Sequence, residues 1–163
     1  MRFRTHVVVA AALVVAGSAG ATASTAGPGL VLPKAGLTAT LSSTRAGARN
    51  VTLVLKLAYL MQCSQPGPEP IVIALPKGMG APGTVRPDSV LLDGKPTPAK
   101  LADGSVTVAT PALPPVMCDV IAIGTATVTF TPRAGLRNPL HAGRYTIAAK
   151  HGNLAFSTTV TIR

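Results

Sequence analysis

Short runs of alternating apolar and polar residues are the dominant pattern along this chain. The clearest ones lie near the C-terminus, where strands are predicted over Ala126–Thr131, Arg144–Lys150 and Leu154–Ile162. Turn residues separate them, Asn138-Pro139 in the first link and His151-Gly152-Asn153 in the second. We expect the strands upstream to close a core against this stretch.

The upstream part of the chain continues the pattern. Val51–Leu60 is its longest strand candidate, and one face of it is almost wholly apolar and is expected to point to the core. A helix is the alternative there, but the β-branched start and the Pro-rich loop that follows favour a strand. Shorter strands are predicted at Leu30–Leu32, Leu37–Ser42, Ile71–Leu75, Ser89–Leu92, Pro98–Leu101 and Ser105–Thr110, and Val120–Ile123 leads toward the C-terminal stretch.

Two Asp-Gly pairs, Asp93-Gly94 and Asp103-Gly104, are strong hairpin signals and predict a β-meander. In total the chain offers about eight to ten short strands separated by Gly, Pro, Asn and Asp, with no convincing helical period after the N-terminus. This pattern predicts an all-β fold, a β-sandwich.

The N-terminus has the three parts of a secretory signal. Arg2 and Arg4 precede the apolar run Val7–Gly17, and Ala21-Thr22-Ala23 fits a cleavage site, with Ala19-Gly20-Ala21 as a second candidate. The run is shorter than the roughly 20 residues that cross a bilayer, so an uncleaved anchor is the less favoured alternative. We predict a signal peptide over 1–23, a flexible lead-in over 24–36 and one sandwich domain over 37–163. The protein is then secreted, extracellular or in the cell envelope, without a transmembrane anchor after cleavage.

The chain contains two cysteines, Cys63 and Cys118, and in an oxidising compartment a disulfide between them is the expected state. The alternative is a small copper-binding protein. Met61 and Met117 lie beside the cysteines, and thioether and thiolate groups suit copper(I), with His141 or His151 assisting.

The formal charge of +10 falls to about +8 without Arg2 and Arg4. A basic chain suits an anionic partner such as a cell-wall polymer, a lipid headgroup or nucleic acid. The basic residues form no run, however, so a solvated surface with few acids is the favoured interpretation. Nucleic acid is disfavoured, because the few aromatic residues are not interleaved with arginine.

No catalytic site is expected. The acids Glu69, Asp88, Asp93, Asp103 and Asp119 lie in predicted turns and loops or stand alone, and no G-x-S-x-G motif is present. Both candidate histidines are predicted in turns, where they would be exposed. We therefore predict a non-enzymatic protein without a cofactor.

From Leu75 onward, the segments LPKGMGAPGTVRPDSVLLDGK, LADGSVTVATP and IGTATVTFTPRAGLRNPLHAGRYTIAAKHGN follow one another in a familiar order. Together they resemble the immunoglobulin-like module that recurs in bacterial cell-surface and surface-layer-like proteins. The matching positions are Leu75, Pro76, Gly78, Val90, Gly94, Gly104, Val106, Pro111, Gly124, Val128, Phe130, Gly135, Asn138, Pro139, Gly143 and Tyr145. The resemblance implies an immunoglobulin-like sandwich that serves as a spacer, adhesive or scaffold, and it implies no catalytic residues.

Several of the matched residues have plain structural roles. Gly135 and Gly143 suit tight turns, and Pro139 fixes a turn after Asn138. Tyr145 is expected to act as a tyrosine corner, with its hydroxyl bonded to a loop backbone.

Contacts with a partner are expected in the loops Gln62–Pro70 and Lys77–Asp88 and in the basic turn Arg133–Arg144. In that turn, Arg133, Arg137 and Arg144 are the candidate contacts to an anionic partner. A cell-wall polymer or another surface protein is the expected partner.

Overall fold

The computed structural model describes residues 35–61, 69–81, 84–102, 104–110 and 122–163. Within these ranges the chain forms strands β1 (Gly36–Leu41), β2 (Leu53–Met61), β3 (Ile71–Ala74), β4 (Val90–Leu92), β5 (Lys95–Pro96), β6 (Ala99–Ala102), β7 (Ser105–Val108), β8 (Ala122–Phe130), β9 (Gly143–His151) and β10 (Leu154–Ile162). A 3-10 helix, Pro132–Ala134, follows β8. The predicted signal peptide and the predicted strand Leu30–Leu32 lie outside the described ranges.

These strands form two five-stranded sheets, and every pairing is antiparallel. The first sheet has the order β1-β2-β8-β4-β5, and the second has the order β10-β9-β3-β7-β6. The prediction of an all-β sandwich is therefore confirmed.

The core lies between the two sheets and is built from alternate residues of their strands. In β2 the predicted inner face is the buried one, with Leu53, Leu55, Leu57 and Tyr59 between 0% and 7% exposed. The facing sheet contributes buried aliphatic side chains such as Ile73, which is 0% exposed. Burying one such side chain is worth about 1.5–3 kcal/mol, so this alternation fixes which face of each strand turns inward.

The predicted start of the strand Ala126–Thr131 was wrong. Ala122–Phe130 is a single strand, and Gly124 lies within it opposite Tyr59 of β2. A side chain at position 124 would overlap the ring of Tyr59. The glycine therefore makes room for an aromatic ring and does not end the strand.

The predicted β-meander was also wrong. Asp93 and Gly94 have positive φ angles of 49° and 78° and form a tight turn, but β4 pairs through it with β5. The residues predicted as its partner, Pro98–Leu101, largely form β6, which belongs to the other sheet and pairs with β7. A two-residue turn places the partner strand directly after it, at Lys95–Pro96. The chain then crosses from the first sheet to the second at Thr97-Pro98.

The three strands predicted near the C-terminus divide between the two sheets. β8 lies in the first sheet, whereas β9 and β10 form a hairpin in the second. The connection between β8 and β9, residues 131–142, consequently passes over one end of the sandwich. That end is the candidate functional site.

Candidate functional site: the basic end of the sandwich

Three connections meet at this end of the sandwich. They are residues 42–52 between β1 and β2, residues 75–89 between β3 and β4, of which 82–83 are not described, and residues 131–142 between β8 and β9. The third connection is bonded to the second through Arg137, which exchanges two backbone hydrogen bonds with Gly80 at 2.8 and 2.9 Å. The loops are thus held as one surface by the backbone.

Asn138 joins the third connection to the first. Its side chain is 0% exposed, and its amide nitrogen donates hydrogen bonds to the carbonyl oxygens of Ser43 and Arg45, both at 2.9 Å. Its backbone N–H donates to the carbonyl of Ala48 at 2.8 Å. A buried side chain with this many partners keeps both loops in a fixed arrangement.

Basic residues that are far apart in the sequence come together on this surface. We call it the basic end, and it is defined by Arg45, Arg49, Lys77, Arg86, Arg133, Arg137, Arg144 and Arg163. Arg163 belongs to it because its backbone exchanges hydrogen bonds with Thr44 and Ala46, both at 2.7 Å. Asp88 is the only acid in the described parts of the three connections. The fold therefore brings basic residues that are spread along the sequence to one end of the sandwich.

Within the basic end, Arg49, Arg137 and Gly80 form a small ladder of isolated antiparallel bridges. Arg137 pairs with Arg49 on one side and with Gly80 on the other. Directly opposite residues present their side chains on the same side, with Cβ atoms roughly 4.5–5.5 Å apart. The side chain of Arg137 crosses the space that Gly80 leaves free, since a Cβ atom on that glycine would lie 3.4 Å from both Cβ and Nε of Arg137.

An apolar side chain also projects at this end. Leu140 is 63% exposed and is the large hydrophobic side chain most open to solvent in the described part of the chain. It lies beside Gly47, and its neighbour Pro139 is buried and accepts a hydrogen bond from the Gly47 N–H at 2.9 Å. The exposed leucine is therefore carried by an anchored loop.

The three arginines predicted to contact an anion occupy different positions. Arg133 is exposed on the 3-10 helix, and Arg144 is exposed at the start of β9. Arg137 is half-buried in the ladder beside Arg49. Arg49 was not among the predicted contacts, and no local pattern identifies it, because its bridge spans 88 positions in the sequence.

The residues predicted to form turns lie close by. Gly135 has a φ of 66° and caps the 3-10 helix, donating from its N–H to the carbonyl of Pro132 at 3.1 Å. Tyr145 donates a hydrogen bond from its hydroxyl to the carbonyl of His141 at 2.9 Å. A Cβ atom on Gly143 would meet the Tyr145 ring at an ordinary distance of 3.5 Å.

At the opposite end of the sandwich, titratable side chains are more buried than the arginines of the basic end. His151 is 4% exposed and its ring meets Tyr59 edge-on, with centroids 4.8 Å apart. The prediction of an exposed histidine was therefore wrong for His151, whereas His141 is exposed. His151 is the last residue of β9 and faces the core rather than the turn.

Glu69 packs against Gly152 at this second end. Among the described residues, neither the Oε2 atom of Glu69 nor the Nδ1 atom of His151 has a hydrogen-bond partner. Burial, with a smaller contribution from the negative charge of Asp93, raises the pKa of the Tyr59 phenol above its ordinary value.

The predicted disulfide and the alternative copper site cannot be located on this framework. Cys63, Met117 and Cys118 lie outside the described residues, as does most of the loop Gln62–Pro70, and Met61 is described only as part of β2. The described ranges contain no group of three or more His, Cys, Asp or Glu side chains that could hold a metal ion. A helix long and apolar enough to cross a membrane is likewise absent from them.

Comparison with known proteins gives a likeness in fold and none in sequence. No protein-family model matches the chain, and no curated protein does. Among solved structures it is similar to BslA, a bacterial hydrophobin, with a TM-score of 0.52 and 16% sequence identity. The match covers 80% of this chain and 98% of the BslA chain. The chain thus shares its overall fold with the whole of BslA.

Proposed function

We propose that this protein is a secreted, non-enzymatic module of the bacterial surface or cell envelope, with an adhesive or scaffold role. In this proposal the basic end attaches the module to an anionic cell-wall polymer. The observation that carries the proposal is that Arg45, Arg49, Arg133 and Arg137, on connections that backbone hydrogen bonds hold together, meet Arg144 at the start of β9.

The strand order supports an immunoglobulin-like type for the sandwich. Immunoglobulin domains place strands A-B-E-D in one sheet and G-F-C in the other. Both arrangements are reproduced when strands A to G are assigned, in chain order, to β1, β2, β3, β4, β8, β9 and β10. Strand β5 and the β6–β7 hairpin are then additions to the immunoglobulin arrangement. Tyr145 then stands near the start of strand F with its hydroxyl bonded upstream, as a tyrosine corner requires.

The likeness to BslA supports a structural role at a surface, because that protein is a bacterial hydrophobin. The charge supports the nature of the partner. A surface with many guanidinium groups and few carboxylates attracts polyanions over roughly a Debye length, about 8 Å at physiological ionic strength. The protein then needs no enzymatic chemistry to stay in the envelope.

Retention on an immobilised polyanion, such as poly(glycerol phosphate), tests this proposal. We expect binding at low salt that weakens steeply as salt rises. The double variant Arg133→Gln/Arg144→Gln should elute at lower salt than the wild type. Lys95→Gln/Lys100→Gln, which removes the same charge from the far strands β5 and β6, should elute close to it. Absent or salt-insensitive binding of the wild type would overturn the proposal, and selective capture of an acidic surface protein would change the partner.

The pairing of the cysteines forms part of the same proposal. We propose a disulfide between Cys63 and Cys118, which closes a loop of about 55 residues and is worth roughly 4 kcal/mol in the chain-entropy model. Thiol titration of the native protein should then find no free thiol. Two free thiols would contradict the bridge and favour the copper(I) alternative.

A further inference from the structure

We propose that Arg49 and Arg137 form a clamp for a phosphate group of the anionic partner. This inference rests on the proposed function and adds to it the chemical group that is recognised. The two guanidinium groups come from different connections, residues 42–52 and 131–142, and their backbones are paired directly opposite one another.

The pairing sets two residues of like charge directly opposite each other. Like charges directly opposite across a bridge destabilise the pair, and here the described loop segments around it, residues 42–52, 75–81 and 131–142, contain no acidic residue. The described acids lie elsewhere. Glu69 packs at the other end, Asp93 accepts a hydrogen bond from the Thr127 N–H at 2.8 Å, and Asp88 is exposed beyond the undescribed residues 82–83. A bound anion between the arginines would remove the repulsion.

The local backbone keeps the pair in register. Arg137 is fixed to Gly80 by two hydrogen bonds, and the neighbouring Asn138 and Leu136 are bonded to Ala48 and Val51 of the other loop at 2.8 and 3.0 Å. Because Gly80 carries no side chain, the Arg137 side chain lies over this glycine, with Arg49 on the other flank of Arg137. Because the backbones of the two residues are already held in place, ordering them costs little when the pair binds a ligand.

A pair of guanidinium groups suits a phosphate group chemically. A guanidinium presents a planar fork of donors that matches two oxygens of an oxyanion. A phosphodiester presents two charged oxygens on a tetrahedral phosphorus, so it can accept hydrogen bonds from two arginines at once. A phosphodiester can come from a cell-wall polymer or from a lipid headgroup, and the exposed Leu140 at the same end can separate the two sources.

The first test compares thermal stability in sodium phosphate and in sodium chloride at matched ionic strength. The wild type should melt several degrees higher in phosphate. Arg49→Gln should melt no lower than the wild type in chloride, because repulsion is relieved, and should lose the gain in phosphate. Arg144→Gln removes the same charge outside the ladder and should keep the gain. A full phosphate gain in Arg49→Gln, or an equal loss in Arg144→Gln, would overturn the clamp.

The second test measures binding of poly(glycerol phosphate) and of vesicles that contain an anionic phospholipid. Arg49→Gln and Arg137→Gln should each weaken binding roughly tenfold or more. If Leu140→Ala weakens binding to the vesicles but not to the polymer, the phosphate belongs to a lipid surface. If Leu140→Ala weakens neither, the phosphate belongs to the polymer. Polymer binding that is unaffected by both arginine variants would refute the clamp and leave the proposed function standing. If the wild type binds neither probe, the proposed function itself fails.

Discussion

Replacing Asn138 by alanine tests whether the basic end is held together as one surface. The substitution removes both side-chain hydrogen bonds to the carbonyls of Ser43 and Arg45, each 2.9 Å long. It leaves the backbone bond from residue 138 to Ala48 in place. The change therefore acts on the link between residues 42–52 and residues 131–142 and not on either sheet.

The expected cost follows from three contributions. Each lost hydrogen bond is worth about 1 kcal/mol, and the cavity and the two unpaired carbonyls add about 1 kcal/mol. The Oδ1 atom of Asn138 is buried with no partner among the described residues, so deleting it returns about 1 kcal/mol. The net loss is about 2 kcal/mol, which for a domain of this size lowers Tm by roughly 8 °C.

Urea unfolding followed by circular dichroism measures this loss directly. The midpoint should fall while the m-value stays constant, because the surface exposed on unfolding is unchanged. Asn153→Ala is the matched control. Asn153 is exposed in the turn between β9 and β10, so that variant should stay within about 0.5 kcal/mol of the wild type. A loss for Asn138→Ala no larger than that of the control would refute the argument that this side chain joins the loops.

Three further predictions concern the sheets. Gly124→Ala should cost about 1–3 kcal/mol in chemical unfolding, because the new methyl group overlaps the Tyr59 ring. In the control Gly143→Ala the methyl group meets the Tyr145 ring at 3.5 Å, so the cost should be less than about 0.5 kcal/mol. Equal costs for the two variants would contradict the steric argument. Because the pKa of Tyr59 is raised in the folded state, the stability that its phenol contributes is complete below pH about 10 and is lost as pH rises toward the folded pKa. Tyr59→Phe should remove the share of the stability loss at alkaline pH that comes from this phenol. A pH profile of stability that the substitution leaves unchanged would contradict the argument. Asp93→Ala should cost about 1 kcal/mol, since it deletes the bond to the Thr127 N–H at 2.8 Å and places alanine at a positive φ; Asp93→Gly, which relieves only the backbone strain, should recover part of that loss.

The elements that sequence predicts best are those whose pattern is set by a single buried face. β10 occupies the predicted range Leu154–Ile162, and the predicted inner face of β2 is the buried one. Both are long strands in which alternate residues enter one core. A local pattern of period two is sufficient to locate such strands.

The errors arise where contacts between distant residues decide the structure. The strand predicted from Ala126 begins at Ala122 and runs through Gly124, where the ring of Tyr59 occupies the space above the glycine. The strand partner of β4 was misplaced because the chain leaves the first sheet after β5 and enters the second at β6. Neither fact can be obtained from neighbouring residues in the sequence.

The same limit applies to the candidate site. Arg133, Arg137 and Arg144 were predicted as contacts from their common turn, but Arg49 joins them only through a bridge between two connections. His151 was expected in solvent from its turn sequence, although as the end of β9 it faces the core. Whether a charge or a ring lies on a surface depends on the pairing of strands, and that pairing is a property of the whole fold.

The central claim is that the basic end is the surface that binds an anionic partner. Chemical-shift mapping by NMR, with poly(glycerol phosphate) titrated into the isotope-labelled protein, tests it most directly. The account predicts that the largest shift changes fall in residues 42–52, 75–81 and 131–144, and that they weaken as salt rises. Changes centred on residues 69–70, 109–110 and 151–153 at the opposite end, or a spectrum that the polymer leaves unchanged at low salt, would contradict it.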